Sequence, residues 1–179
     1  MLADLSSLIA ATAQWLTRSY PSDGSAMDSA LSEVQARQAV TVAAWLRYPT
    51  RMDAALVGVA GPGGSGRLDW ITGADGGVHE AGDGGVDAAA WRTWVDEVVA
   101  SWAACLLTDP ELAGTAVAAL ADCDHTAGVP IEFRRLTAPD HRARRAAALL
   151  RHPDLLAPIA DLHHAALLDR LTPGEALTA

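Results

Sequence analysis

The stretch that decides the fold is DAAAWRTWVDEVVASWAACLL, residues 87–107. Large apolar side chains recur in it at intervals of three and four residues, which is the spacing of one face of an α-helix. They are Trp91, Trp94, Val95, Val98, Trp102, Cys105 and Leu106. Three of the six tryptophans lie on this stripe, and Asp87 before it is a good N-terminal cap. The pattern predicts a long helix at the centre of the core.

Similar patterns on either side predict a mainly α fold, a compact helical domain of about six helices. A chain of 179 residues has the length of a single domain, residues 1–179. Ser25 with Asp28 and Thr108 with Glu111 have the spacing of capping boxes. The predicted helices cover about 2–18, 25–47, 87–107, 109–121, 138–151 and 153–171, the last one kinked or restarted at Pro158.

The glycine-rich stretch 54–86 does not fit this pattern. Eleven of the 15 glycines lie between Gly58 and Gly85. We interpret 54–60 and 67–72 as two strands of a small β-hairpin insert, with a short third strand at 78–80. A flexible loop over 54–86 is the competing interpretation.

The turn of this predicted hairpin, GPGGSG at 61–66, formally satisfies the dinucleotide-binding pattern G-x-G-x-x-G. That pattern needs a helix to start at the glycines, so that backbone N–H groups point at the pyrophosphate. Because residues 67–72 are predicted to form a strand, we interpret the segment as a hairpin turn.

The chain has a net charge of −9, and the acidity is concentrated in its middle third. Residues 67–124 carry eleven acids and two arginines. An acidic surface disfavours nucleic acid and anionic membranes and suits a basic partner. All 13 basic residues are arginine, and lysine and asparagine are absent. This composition is typical of a high-GC bacterium.

The compartment is predicted from cysteine usage and from the uncharged stretches. Two cysteines do not form a disulfide framework. The longest uncharged stretches, 5–17 and 54–66, have 13 residues each and are too short for a span of about 20 residues. The N-terminus has no cationic start of a signal peptide. We therefore expect a cytoplasmic protein with free thiols and no membrane partner.

Candidate catalytic residues cluster at Cys123, Asp124 and His125, where a thiolate and an imidazole could act as nucleophile and base. Alternatively, His125 interacts with the last carbonyls of a helix. His141 is a further candidate, as one of three histidines spaced eleven residues apart. We predict no metal site and no cofactor.

Candidate ligand-binding residues are Trp70, Trp91, Trp94, Arg142 and Arg145. Arginines cluster between 134 and 151 and could bind an anion or an acidic partner. Alternatively, they pair with the acidic middle third of the chain. Trp70 is the tryptophan that we expect to be most exposed.

These observations favour a non-catalytic acidic accessory or adaptor protein that binds another protein through its acidic central region. The alternative is a small enzyme or small-molecule-binding protein of specialised metabolism with a Trp-lined pocket. Its polar groups would be Cys123, His125 and His141. A structural subunit of an oligomer or larger assembly is a third reading.

Overall fold

The computed structural model describes residues 4–62, 65–73, 90–127 and 132–172. Within these ranges the chain forms helices and no β-strand, so the prediction of a mainly α fold is confirmed for them. The predicted number of about six helices is wrong, because short breaks divide the described residues into ten α-helices. The α-helices are α1 (Ser6–Ser19), α2 (Ala26–Arg47), α3 (Arg51–Ala60), α4 (Gly66–Thr72), α5 (Glu97–Thr108), α6 (Pro110–Ala118), α7 (Arg134–Thr137), α8 (His141–Ala146), α9 (Pro153–Ala160) and α10 (His164–Leu171). Short 3-10 turns cover Ala90–Trp94, Ala119–Asp122 and Asp124–Thr126.

Helices α2 and α5 are at the centre of the core. Helix α2 has 22 residues, which gives it a length of about 33 Å. It packs against α1, α5 and α8, while α5 also packs against α9. Residues 99–107 of α5 are all buried, so neighbours surround this helix. Many buried residues of both helices are alanines, whose small side chains allow helices to approach closely.

The predicted β-hairpin is wrong, because its two strand segments lie in helices. Residues 54–60 belong to α3 and residues 67–72 belong to α4. A capping box starts α3: Asp53 N–H donates to Thr50 Oγ1 over 3.2 Å, and Thr50 N–H donates to Asp53 Oδ2 over 3.0 Å. A short apolar run fits a strand or a helix equally well by its pattern, and here the cap selects the helix.

Helix α4 is short, and a glycine terminates it. Gly73 adopts the left-handed conformation with φ of 69°, and its N–H bonds back to the last turn. Leu68 is the fully buried residue that fixes this helix on the core. The predicted third strand at 78–80 lies outside the described residues. The same holds for residues 74–86 of the flexible loop that was the competing interpretation.

The predicted central helix starts later than expected. Helix α5 begins at Glu97, and Asp96 rather than Asp87 is its cap: Asp96 Oδ1 accepts from Val99 N–H over 2.9 Å. Trp91 and Trp94 lie on the preceding 3-10 turn. The apolar side chains keep their spacing of three and four residues across the break between Trp94 and Glu97, because both the 3-10 turn and α5 direct them to the core. Asp87 lies outside the described residues.

Elsewhere, the predicted capping box of α2 is confirmed, whereas α6 and α8 are capped by residues that the sequence analysis did not single out. Ser25 and Asp28 form the expected capping box of α2. Asp109, one residue after the predicted Thr108, caps α6, with Pro110 at its first position. Asp140 caps α8 by accepting from Ala143 N–H over 2.7 Å.

The last two predicted helices are each interrupted. The predicted helix 138–151 is regular only in α8, and turns follow it to Arg151. The predicted helix 153–171 divides into α9 and α10 at residues 161–163, just after Pro158. Proline lacks a donor and disturbs the preceding turn, and the break follows it by one turn.

Arg151 fixes the turn that ends the α8 segment. Its guanidinium bonds to Gln35 Oε1, to the Leu107 carbonyl over 3.0 Å and to the Arg135 carbonyl over 2.7 Å. Burial lowers the pKa of Arg151 to about 10. Backbone carbonyl oxygens therefore accept hydrogen bonds from this buried cation. The Leu107 carbonyl among them lies at the negative, C-terminal end of the α5 dipole.

Candidate functional site

Cys123, Asp124 and His125 meet the end of α2 and the residues after it. The Cys123 thiol donates to the Pro49 carbonyl over 3.3 Å. His125 Nε2 lies 2.7 Å from the Tyr48 carbonyl, and this nitrogen carries the hydrogen because a carbonyl oxygen only accepts. Asp124 Oδ2 accepts from Arg51 N–H over 3.4 Å. The structure brings the three predicted residues together and gives each a backbone partner.

The environments of the two cysteines favour the protonated thiol over the thiolate, which is the nucleophilic form. Burial raises the pKa of Cys123 above its ordinary value and raises the pKa of Cys105 to about 11. The His125 ring stacks on Trp45 with 5.7 Å between ring centroids. A reactive cysteine needs a lowered pKa and a basic neighbour, whereas Cys123 faces carbonyl oxygens.

A buried polar network continues from Tyr48 into the core. Tyr48 Oη donates to Asp96 Oδ2 over 2.6 Å, and the Asp96 N–H donates to Thr12 Oγ1 over 3.4 Å. Burial and the adjacent carboxylate raise the pKa of Tyr48 to about 12. Asp96 joins α1, α2 and α5, so its carboxylate has a structural role.

Asp69 and Glu97, two further acids of the middle third, also have partners inside the fold. Asp69 accepts from Trp15 Nε1 over 3.0 Å and from Arg92 over 3.2 Å. Glu97 lies 2.9 Å from His163 Nε2 and 3.7 Å from Arg67. The remaining acids on which the predicted acidic surface depends lie outside the described residues: Asp75, Glu80, Asp83 and Asp87.

The candidate tryptophans occupy different environments. Trp70 is 74% exposed, which confirms the prediction that it reaches the surface. Trp91 is half-buried between Arg18 and Arg92, whose guanidinium carbons lie 4.8 Å and 5.5 Å from its ring. Trp94 is half-buried against the core.

The exposed arginines of α7 and α8 form a surface that we call the basic face: Arg134, Arg135, Arg142, Arg144 and Arg145. Among the described residues, no carboxylate oxygen lies within 4.0 Å of any of these guanidinium groups. His141 is exposed at the first position of α8. The described residues therefore contain no ion pair between these arginines and the acids of the middle third.

Two cavities border α8. The first has a volume of about 330 Å³, and Gln38, Arg134, Arg135 and Asp140 are among its lining residues. The second, of about 370 Å³, is lined by Tyr20, Asp28, Ser32, Arg145 and others. No tryptophan lines either cavity. In the part of the chain that the structure describes, no group of three or more His, Cys, Asp and Glu is placed to hold a metal ion.

Sequence reasoning missed the apolar surface of α3, which we call the α3 face: Met52, Leu56 and Val59. These side chains are 69%, 59% and 90% exposed, whereas Ala54 and Val57 on the other side are buried. The capping-box spacing of Thr50 and Asp53 and the i, i+4, i+7 apolar spacing would have identified both the helix and its two sides. No described helix is long and apolar enough to cross a bilayer.

No protein-family model, no curated protein and no solved structure matches the chain. Its function is therefore inferred from the surfaces described above.

Proposed function

We propose that the chain is a non-catalytic accessory protein that binds another protein, and that the α3 face is the contact surface. The observation that carries this proposal is the exposure of three large apolar side chains along one side of a single helix. Apolar residues scattered singly on a surface need no explanation, but a contiguous apolar patch is typical of an interaction site.

The geometry of α3 suits insertion into a groove of the partner. Helices that bind in this way present apolar anchors at i, i+4 and i+7, which is the spacing of the α3 face.

The charges around α3 indicate the kind of groove. Arg51 is exposed at the first position of α3, and Arg47 is exposed at the end of α2, four residues earlier. Residues 54–66 carry no charge. A matching groove is apolar along its length and acidic at the rim that meets these arginines. Such complementary charge fixes the direction in which the helix lies.

The predicted acidic contact remains a second part of the proposal. Asp69, Asp96 and Glu97 are engaged inside the fold, so reversing their charge would disturb the structure itself. The acids whose replacement tests this contact are Asp75, Glu80, Asp83 and Asp87.

Site-specific photo-crosslinking in the organism that makes the protein tests the α3 face. A photoreactive amino acid replaces Leu56 or Val59 in the full chain. Leu155 on α9, which is 43% exposed, serves as the matched control position. We expect the same covalent adduct from positions 56 and 59, none from position 155, and loss of the adduct when Met52→Asp is added.

Three results would overturn the proposal. The first is an absence of adducts at positions 56 and 59, and the second is an equal yield at position 155. The third is an adduct that consists of two copies of this chain, since the α3 face would then be a self-association surface.

A further inference from the structure

We propose that the basic face binds an acidic segment of a protein in an extended conformation. This surface lies on α7 and α8 and does not include α3, so the inference does not depend on the proposed function. It concerns a second contact and the chemistry of the segment that would occupy it.

The first step of the inference is local charge. Residues 132–151 carry six arginines and two acids in a chain whose net charge is −9. Arg151 is engaged with carbonyl oxygens, and the other five form the exposed basic face. A concentration of one charge on a molecule of the opposite net sign attracts a complementary surface locally.

The second step is the placement of these arginines around α8. Arg134 and Arg135 line the first cavity, and Arg145 lines the second. Ala143 lines the first cavity and Ala146 the second. Because these two residues are three apart and share one side of α8, the cavities follow each other along this helix. Bonds with Ser25 keep the pKa of Asp28 low, and the positive charges of Arg145 and Arg142 add to this effect. An extended chain running along α8 can reach both groups of arginines, whereas one small anion contacts a single group.

The third step is the supply of hydrogen-bond acceptors beside the arginines. Glu132 and Asp140 line the first cavity together with Arg134 and Arg135. Asp140 Oδ1 accepts from Ala143 N–H, and Asp140 is exposed at this cavity. Carboxylate oxygens can accept the N–H groups of a peptide main chain while the guanidinium groups bind its acidic side chains.

Nucleic acid fits this surface less well than an acidic peptide does. The aromatic residue nearest in sequence, Phe133, is 6% exposed and unavailable for base stacking. A long nucleic acid would also extend over the rest of an acidic molecule, whose net charge is −9.

Fluorescence anisotropy with labelled octaglutamate tests the inference on the full chain. We expect saturable binding that weakens as NaCl is raised from about 20 to about 200 mM. The variant R135Q/R142Q/R145Q should bind about tenfold more weakly. R18Q/R37Q/R67Q removes the same charge from exposed positions elsewhere and should bind within about twofold of the wild type. Circular dichroism establishes that both variants are folded.

Several results would overturn the inference: no binding by the wild type at low salt, an equal loss in both variants, or tighter binding of labelled oligothymidylate than of octaglutamate.

A further experiment tests whether an acidic segment of the same chain, rather than a partner, occupies the basic face. Replacing Asp75, Glu80, Asp83 and Asp87 by their amides should raise the affinity no more than neutralising four exposed acids elsewhere, namely Glu33, Glu111, Asp154 and Asp169. A clearly larger gain would show that the 74–89 segment competes for the basic face.

Discussion

At the scale of single residues, polar side chains in this protein are used mainly to close the ends of helices and to hold segments together. Asp96 caps α5 and also accepts from Tyr48. The Cys123 thiol and the His125 ring contact carbonyls at the end of α2. A buried donor or acceptor without a partner is costly, while a satisfied one contributes modestly. Cys123 and His125 resemble a reactive pair in the sequence because a thiol and an imidazole can serve either in catalysis or in binding backbone carbonyls.

Asp69 gives the clearest prediction at this scale. Trp15 is 1% exposed, and its Nε1–H donates to Asp69, which also bonds Arg92. Asp69→Ala leaves the indole N–H without its acceptor, so we expect the free energy of unfolding to fall by about 1–3 kcal/mol. Urea unfolding followed by circular dichroism measures this change.

Glu33→Ala is the control for Asp69→Ala. It removes an exposed acid in the middle of α2, and the expected change is within about 0.5 kcal/mol. A loss of less than about 0.5 kcal/mol in Asp69→Ala would contradict the structural role given to that carboxylate.

At the scale of elements, the sequence was sufficient where a cap and a long apolar period coincide. Helix α2 is the example, with Ser25 and Asp28 at its start and its end at residue 47 as predicted. The segment 54–60 is helical although the glycines that follow it are typical of a hairpin, because Thr50 and Asp53 cap its first turn. The break before α5 was missed because a 3-10 turn and a helix can continue one apolar stripe.

The two sides of α3 lead to a prediction with an internal control. Val57 is 8% exposed and Val59 is 90% exposed, although both lie in the same helix two residues apart. Val57→Asp places a carboxylate in an apolar contact, so the free energy of unfolding should fall by about 2 kcal/mol or more. Val59→Asp should change it by less than about 0.5 kcal/mol.

Chemical denaturation of both variants under the same conditions distinguishes a helix from a strand here. In a strand, side chains at i and i+2 share one face, so the two substitutions would have similar effects. Equal losses of stability would therefore contradict the helical assignment of α3.

At the scale of the whole molecule, charge is the property that the sequence predicted only in part. The acidic character of the middle third was evident from composition, but Asp69, Asp96 and Glu97 have partners inside the fold. The arginines of the basic face form a cluster in the sequence, but the sequence does not show that Arg134 and Arg135 line one cavity beside α8 and Arg145 another. The partner of a charged side chain depends on chain topology, which periodicity does not encode.

Net charge also predicts how the fold responds to salt. The chain carries −9, and screening reduces self-repulsion within a compact state. Raising NaCl from about 10 to about 150 mM should increase the free energy of unfolding on the order of 1 kcal/mol, or about 2–4 °C in Tm for a chain of this length. A decrease in Tm over this range, measured by circular dichroism at constant pH, would show that attractive ion pairs dominate instead.

The uneven exposure of the tryptophans gives the molecule an intrinsic optical reporter. Trp15 and Trp102 are buried, whereas Trp70 is 74% exposed near the end of α4. Acrylamide in solution should therefore quench the emission of Trp70 first, and the fraction lost early should come from the red side of the spectrum. Any molecule that covers this part of the surface should protect that fraction, so contact there can be followed without a label.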